Sequence, residues 1–413
     1  MRLPTTLLPS HPSAVIKPLP APGLRPLRIG INTLAENPFA PSGATNYMVG
    51  ILEALRRMDA HNRYYVFVSP RNREQFSACE ESENFTFLNC YYSNENRYAR
   101  VLAEQVMLPY HAARSRLDVV HSHSNVVPFL GTTPSVVNIK TTHHFHTPQS
   151  IPLARSLYRR LMHRMSVRKA RRIIVSSSAT KQDVVKFYGV APGKVDVVFE
   201  AAGENFSPAP DMSSVRSRLL GNYGIAGRYV LFVSTLWDYK NADGTIRAFA
   251  QVAAACPDLS LAIAGNDYEG ARARLERLAS ELGMGRRVRF LGQVPNLELP
   301  LLYQGALAFV YPSFYETFGL TVVEAFKCGC PVITSNAGSL PEVSAGAAIL
   351  VEPSKVETIA EAIRALAGDQ AFREEQVRRG LQRGTEFSWE RTARETLQVF
   401  ERVAMAESLA DAA

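Results

Sequence analysis

Glu316 and Glu324 share one segment, Tyr311-Pro-Ser-Phe-Tyr-Glu-Thr-Phe-Gly-Leu-Thr-Val-Val-Glu-Ala-Phe-Lys-Cys-Gly-Cys-Pro-Val332. An apolar run ends at Tyr311, and helical spacing begins near Leu320. Glu316 therefore falls in a loop and Glu324 one turn inside a helix. The backbone N–H groups of Thr317, Phe318, Gly319 and Leu320 gather at the helix N-terminus, which favours a phosphate. A carboxylate beside that end can accept hydrogen bonds from ribose or sugar hydroxyls. The spacing also fits a plainer arrangement, with Glu316 complementing the helix dipole and Glu324 on a solvated face.

Three other segments offer polar side chains where strands should end. Leu231-Phe-Val-Ser-Thr-Leu-Trp-Asp-Tyr-Lys-Asn241 is a strand followed by a turn that carries Ser234, Tyr239, Lys240 and Asn241. Ser42-Gly-Ala-Thr-Asn46 places Gly43 where backbone can approach a ligand closely. It can equally be an ordinary turn. Val137-Asn-Ile-Lys-Thr-Thr-His-His-Phe-His-Thr-Pro148 brings Lys140, Thr141, His143, His144 and His146 together, and His121-Ser-His123 adds two more imidazoles. Such a cluster raises a metal site. No Asp-x-Asp accompanies it, so imidazoles at the edge of a cleft that holds an anion are the preferred reading.

The elements that must position these groups follow from length and pattern. The chain has 413 residues, more than one hydrophobic core usually serves, so two domains are expected. Hydrophobic residues at 46% and charged residues at 20% exclude wholesale disorder. Short apolar runs at residues 28–34, 64–69, 117–121, 135–139, 172–177 and 194–199 read as strands. Composition turns to Gly, Pro and polar residues between Ala201 and Pro210. A second series follows at residues 229–234, 259–265, 288–292, 306–311, 331–335 and 348–351. Helical spacing separates the strands, which predicts parallel sheets with helices on both faces. Ligands bind such sheets at the carboxyl ends of the strands, and two such domains form a cleft. Residues 1–26 read as a flexible leader, residues 27–205 and 210–385 as the two domains, and residues 386–413 as a terminal helix.

Composition also narrows the partners. The net charge of +8 admits nucleic acid, membrane or a small anion. Arg155, Arg159, Arg160, Arg164, Arg168, Lys169, Arg171 and Arg172 form a run with no acid. Leu157, Leu161, Met162 and Met165 give it an apolar side. A solvated basic helix and one that touches anionic lipid both fit. Basic residues are not interleaved with aromatics, so nucleic acid is not expected. Five cysteines, with Cys328-Gly-Cys330 lacking a CxxC spacing, read as buried thiols in a reducing compartment. No apolar stretch of about 18 residues or more suggests a membrane span. A cytoplasmic protein, peripheral at most on the inner face of the membrane, is expected.

The Glu316–Glu324 segment resembles the E-x7-E signature of the family 4 glycosyltransferases. Cys328-Gly-Cys-Pro-Val332 and Asn336-Ala-Gly-Ser-Leu-Pro-Glu342 are similar to the motifs that follow it there. The resemblance covers the second half fully and the first more loosely. It implies a GT-B fold, two Rossmann-like domains facing across a cleft, and retention of anomeric configuration. Glu316 would contact the donor sugar, Glu324 the ribose, and the loop at Gly338 the diphosphate. Lys240 and Asn241 match the end of the family's Arg-Lys-Asn turn, with Tyr239 in place of Arg and Ser234 in place of Gly, so Ser234, Lys240 and Asn241 are expected against the donor. Lys140 and Thr141 stand where a His-Asp pair is usual, so Lys140 is expected in the catalytic group with Glu316, Lys240 and His143, and His143, His144 or His146 would supply the imidazole through a loop shift. The resemblance implies a nucleotide-diphosphate sugar as co-substrate, no other cofactor, no metal, and a saccharide or lipid-linked acceptor. The pattern looks most like bacterial polysaccharide mannosyltransferases, which favours mannose from GDP-mannose, with UDP-glucose or UDP-N-acetylglucosamine as alternative donors. An inactive sugar-nucleotide-binding protein remains open on the departures at residues 140, 141 and 239. A dehydrogenase is disfavoured, because no G-x-G-x-x-G follows a strand.

Overall fold

The computed structural model describes residues 25–36, 43–90, 97–147 and 153–411. The leader through residue 24 and Ser42 of the glycine loop lie outside them. The described strands form two parallel sheets. The first contains β1 (Arg28–Asn32), β2 (Arg63–Val68), β3 (Phe85–Asn89), β4 (Val119–Ser122), β5 (Ser135–Ile139), β6 (Arg172–Val175) and β7 (Val195–Val197). The second contains β8 (Tyr229–Val233), β9 (Ser260–Ala264), β10 (Val288–Gly292), β11 (Ala308–Tyr311), β12 (Val332–Ser335) and β13 (Ile349–Val351). The sheet orders are β3-β2-β1-β4-β5-β6-β7 and β10-β9-β8-β11-β12-β13.

These strands form where β-branched and aromatic residues run without interruption. Helices cover both faces of each sheet, so a central strand has no solvent side to mark with polar residues. β4, β5, β8, β11 and β12 are buried along their whole length. β3 is the strand that the apolar runs do not reveal. It is an edge strand, and Thr86 alternates toward solvent between Phe85 and Phe87.

The shared order has one consequence for the site. Chain direction across each sheet reverses between β1 and β4, and again between β8 and β11. The loops beyond these strand ends diverge and leave a crevice. Residues 33–36 and 123–125 line that point in the first domain, and residues 234–240 and 312–317 line it in the second.

The chain passes from β7 to β8 through residues 198–228, and the apolar core is continuous across this connection through Phe206, Phe387 and Trp389. The last helix is Trp389–Asp411, within the segment read as terminal. It lies on the first domain. Trp389 meets Tyr47 edge to face at 5.8 Å, Phe400 lies 5.2 Å from the His121 ring, and Thr392 Oγ1 donates to the Phe199 carbonyl at 2.7 Å.

Gly50 makes that contact possible. It sits inside the Gly43–Met58 helix, and a Cβ there would lie 2.3 Å from the Trp389 ring. Overpacking of this kind costs about 1–3 kcal/mol. Gly50→Ala should therefore lower the thermal midpoint, and Gly50→Ala with Trp389→Leu should recover part of the loss. Equal midpoints for wild type and Gly50→Ala in calorimetry would show that the last helix can shift without cost.

Candidate active site

The turn after β8 is built around Asn241. Its backbone is left-handed, φ +64°, and its Oδ1 accepts from Gly244 N at 3.1 Å, capping the Ala242–Ala253 helix. Its Nδ2 donates to the carbonyls of Pro312 at 3.0 Å and Pro353 at 2.8 Å. Asn241, expected among the donor ligands, is thus committed to tying this turn to the loops after β11 and β13. Lys240 is held beside it. Its ammonium donates to Glu316 Oε1 at 2.6 Å and to the Tyr311 hydroxyl at 2.7 Å, and Tyr311 in turn donates to Glu316 Oε1 at 2.7 Å. Burial opposes the Lys240 charge, but Glu316, Tyr311 and Tyr239 together hold its pKa well above the ordinary lysine value.

The loop carrying Glu316 is fixed from below. Ser339 N and Oγ both donate to the Glu316 carbonyl at 3.1 Å. Gly338 has φ +58°, and a Cβ there would stand 2.5 Å from that carbonyl oxygen. The close approach at Gly338 is therefore made to the Glu316 backbone. Gly319, φ +93°, forms the N-cap of the Leu320–Lys327 helix, and Leu320 is its first residue. Phe318 is turned into the core, with ring centroids 6.0 Å from Phe199 and 5.9 Å from Phe387, so its ring is spent on packing. Ser234 is half-buried at the end of β8, and its N–H donates to the Ala264 carbonyl at 3.0 Å.

Glu324 is buried rather than solvated. It accepts from Tyr303 OH at 3.0 Å, and no ion pair is made to it among the described residues. Burial pushes its pKa up to about 7, with the tyrosine hydrogen bond pulling the other way.

The first domain supplies the facing wall. His143 opens the short helix His143–His146, and its ring stacks on Tyr239 across the cleft, centroids 5.4 Å apart and planes 14° apart. Burial, then the nearby charges of Arg159 and Lys240, push its pKa down to about 4, so it is neutral at neutral pH. The other imidazoles turn elsewhere. His144 lies in the core near His163, His146 meets Asp183 Oδ2 at 2.8 Å, His121 meets Asn138 Oδ1 at 2.8 Å, and His123 meets Glu36 Oε1 at 2.6 Å. Among the described residues no three His, Cys, Asp or Glu side chains converge as metal ligands. Lys140, expected in the catalytic group, points into the first domain. Its ammonium is 2.7 Å from Glu200 Oε1 and 3.3 Å from the centroid of the Tyr47 ring. Burial pulls its pKa down, and Glu200 works against that. Gly43 is the first residue of the Gly43–Met58 helix.

The structure thus joins Lys240, Glu316 and His143 around the mouth of the cleft. It leaves Lys140 in a wall, and Asn241, Phe318 and Gly338 in supporting positions. Tyr311 and Tyr239 belong to the group as well. Both stand in the quoted motifs, but their side-chain directions could not be read there.

Glu324 generates a pH test. An acid whose folded pKa is raised binds its proton in the native state while the unfolded chain has lost it. Stability therefore falls as pH rises from about 4.5 to about 7. Glu324→Gln should melt above wild type at pH 8, by about 2–4 kcal/mol, and show no such gain near pH 4. Identical midpoints at pH 8 would mean that the carboxyl reaches water.

Two family models match the chain: the one described as Glycosyl transferases group 1 over residues 226–383, and Glycosyltransferase Family 4 over residues 41–200. The chain is 30% identical over 266 residues to O-antigen chain mannosyltransferase B of Escherichia coli, covering 63% of this chain and 69% of that one. It is 29% identical over 308 residues to D-inositol 3-phosphate glycosyltransferase of Corynebacterium diphtheriae, covering 70% and 72%. Among solved structures, sucrose-phosphate synthase from Thermosynechococcus elongatus superposes with a TM-score of 0.74 at 21% identity, over 92% of this chain and all of that one. Anabaena HepE, in complex with UDP and glucose, gives 0.71 at 19% identity over 91% of this chain and all of that one. These neighbours have the GT-B fold.

Proposed function

The chain belongs to glycosyltransferase family 4, and we propose that it transfers mannose from GDP-mannose, with retention of configuration, to a hydroxyl of a growing saccharide. The observation that carries this reading is the buried Lys240–Glu316–Tyr311 group at the β8–β11 switch point, facing the neutral His143. The choice of mannose is supported by the similarity to an enzyme described as an O-antigen mannosyltransferase.

In this reading the diphosphate lies against Lys240 and the N-terminus of the Leu320–Lys327 helix. Glu316 accepts hydrogen bonds from hexose hydroxyls, and His143 meets the sugar from the opposite wall. The acceptor oxygen bonds to the anomeric carbon as the bond from that carbon to the phosphate breaks. The hydroxyl proton leaves with the diphosphate oxygen. Negative charge grows on the diphosphate during this step. A preorganised cation there stabilises the transition state more than the ground state. The reading requires no resident cofactor and assigns Lys140 and the imidazoles no metal.

The acceptor would be lipid-linked, presented at a membrane surface. Among the described residues no helix is long and apolar enough to cross a membrane. The Leu153–Lys169 helix nevertheless exposes Leu157, Leu161 and Met165 at 56%, 58% and 42% beside exposed Arg164, Arg168 and Lys169. Leu102, Val106 and Tyr110 form a second exposed apolar row. The loop of residues 127–131 joins the two rows. Gln105 Nε2 donates to the Val127 carbonyl at 3.2 Å, and Lys169 Nζ to the Gly131 carbonyl at 3.0 Å. Apolar rows edged by cations suit an anionic bilayer surface.

Two measurements test this function. Lys240→Ala should lower kcat on the order of 10²–10³-fold with GDP-mannose, since Tyr239 can offer only a neutral hydroxyl. The same assay with UDP-glucose and UDP-N-acetylglucosamine identifies the donor. A loss below about fivefold for Lys240→Ala would mean that another group neutralises the phosphates. In flotation, the protein should rise with vesicles containing anionic lipid and be released by high salt, each basic residue contributing about 1 kcal/mol. Leu157→Ser with Leu161→Ser should weaken that binding. Equal flotation with neutral and anionic vesicles would sink the membrane assignment.

A further inference from the structure

The segment that carries Glu316 belongs to the second domain, yet the residues on either side of Glu316 are bonded to the first. Tyr315 is buried, and its hydroxyl donates to Asp183 Oδ2 of the Ser178–Tyr188 helix. Thr142 lies 2.8 Å from the same hydroxyl, and its Oγ1 donates to Asp183 Oδ2 at 2.8 Å. The Tyr315 ring stacks on His146, centroids 4.0 Å apart, and His146 Nε2 completes the contact to Asp183 at 2.8 Å. On the other side, the Thr317 carbonyl accepts from Ser177 Oγ at 2.7 Å, Thr180 Oγ1 at 3.0 Å and Ser176 Oγ at 3.1 Å. Thr317 Oγ1 donates back to the Lys140 carbonyl at 3.0 Å. A little further along, the Glu342 carboxylate accepts from Ser178 N and Oγ, both at 2.8 Å.

We propose that Asp183 and Tyr315 form an interdomain latch that positions Glu316 when the cleft closes. The proposal rests on Glu316 serving the donor sugar.

The argument is one of geometry. Among the described residues the Glu316 side chain bonds within its own domain, to Lys240 and Tyr311. The side chains of its two neighbours in sequence, and the Thr317 carbonyl, bond across the cleft to the first domain. The chain at residue 316 is therefore stretched between two bodies, and its course depends on their separation. If the domains part, Tyr315 loses Asp183 and Thr142, and Thr317 loses three hydroxyl donors. The loop then keeps its ties within the second domain, from Ser339 to the Glu316 carbonyl, from Ser313 Oγ to the Tyr315 carbonyl and from Phe314 N to the Tyr239 carbonyl, and Glu316 loses its cross-cleft registration. Buried polar groups must find partners, so an open state would need water at Asp183 and at the Thr317 carbonyl. The latch thus favours the closed arrangement by satisfying groups that closure buries. Nucleotide binding to the second domain does not pass through these contacts. Latch residues act through Glu316, as positioning residues.

The experiment uses the full chain, with Tyr315→Phe, Asp183→Asn and the double variant. Tyr315→Phe keeps the ring on His146 and the buried apolar volume, so it tests the hydroxyl alone. Each single variant should lower kcat about 10–100-fold, as expected for one hydrogen bond to a charged group, with affinity for GDP in calorimetry within about twofold of wild type. The double variant should be no worse than the poorer single, because both remove one interaction. Solution scattering without ligand should give the variants a larger radius of gyration than wild type. Multiplicative losses in the double variant, or an unchanged radius with kcat within about threefold, would overturn the latch. If wild type turns over no donor sugar, the transferase reading fails, and the scattering comparison still decides whether Asp183 and Tyr315 hold the domains together.

Discussion

The second domain's site depends on keeping the Lys240–Glu316 ion pair almost out of water. Desolvating two charges costs several kcal/mol per ion, and attraction offsets this only when geometry is good and remaining hydrogen-bond sites are filled. Here the pair closes at 2.6 Å and Tyr311 hydrogen-bonds to both members. The surrounding backbone is arranged to hold that geometry. Asn241 locks the Lys240 turn to the β11 loop, and Ser339 grips the Glu316 carbonyl. Gly338 lets that carbonyl approach to a distance that any Cβ would block. A pair held this way is poised for a ligand that brings its own charges. A diphosphate offers Lys240 a second anionic partner, and sugar hydroxyls offer Glu316 donors, so neither ion is stranded while they exchange.

The two walls of the cleft divide the labour by charge. The second domain brings the cation, the carboxylate and a helix N-terminus. The first brings an imidazole kept neutral by burial and by the cations near it. In the proposed reading, that asymmetry follows from what each wall would meet. An anion needs fixed positive charge, whereas a hexose needs neutral donors and acceptors that add no charge beside Lys240. Two cations of the first domain, Lys140 and Arg172, are paired away from the mouth, with Glu200 and Asp196.

Much of the fold was legible in the sequence because parallel strands buried on both faces appear as unbroken apolar runs. β3 escaped since an edge strand alternates. The site was legible by residue type and only partly by role. Glu316 and Lys240 carry chemistry wherever they fall, and each stands in a segment that resembles a family motif. Asn241, Phe318 and Gly338 stand in the same motifs, yet their contacts show supporting work that no spacing discloses. Glu324 could not be told from a surface carboxylate, because its burial depends on Tyr303 in a separate helix. Asp183 and Tyr315 were invisible for the same reason. They are separated by 132 residues, and only the meeting of two domains joins them.

Two departures from the family pattern, Tyr239 for the usual Arg and Lys140 for the usual His, become one in three dimensions. His143 comes from a few residues beyond the usual position and stacks flat on Tyr239. An arginine at 239 would set a second full charge against that ring, beside Lys240 and within the field of Arg159, in a site where burial already disfavours charge. A tyrosine instead offers an aromatic face and a neutral hydroxyl, and the stacked pair joins the walls without adding charge. The compensation is steric and aromatic, but it is not electrostatic. One formal positive charge is missing where the phosphates would lie, and Glu316, Tyr311 and Tyr239 hold the pKa of Lys240, the cation which remains, above the ordinary lysine value. The shift of the imidazole to residue 143 and the concentration of charge on Lys240 are therefore two sides of the same substitution.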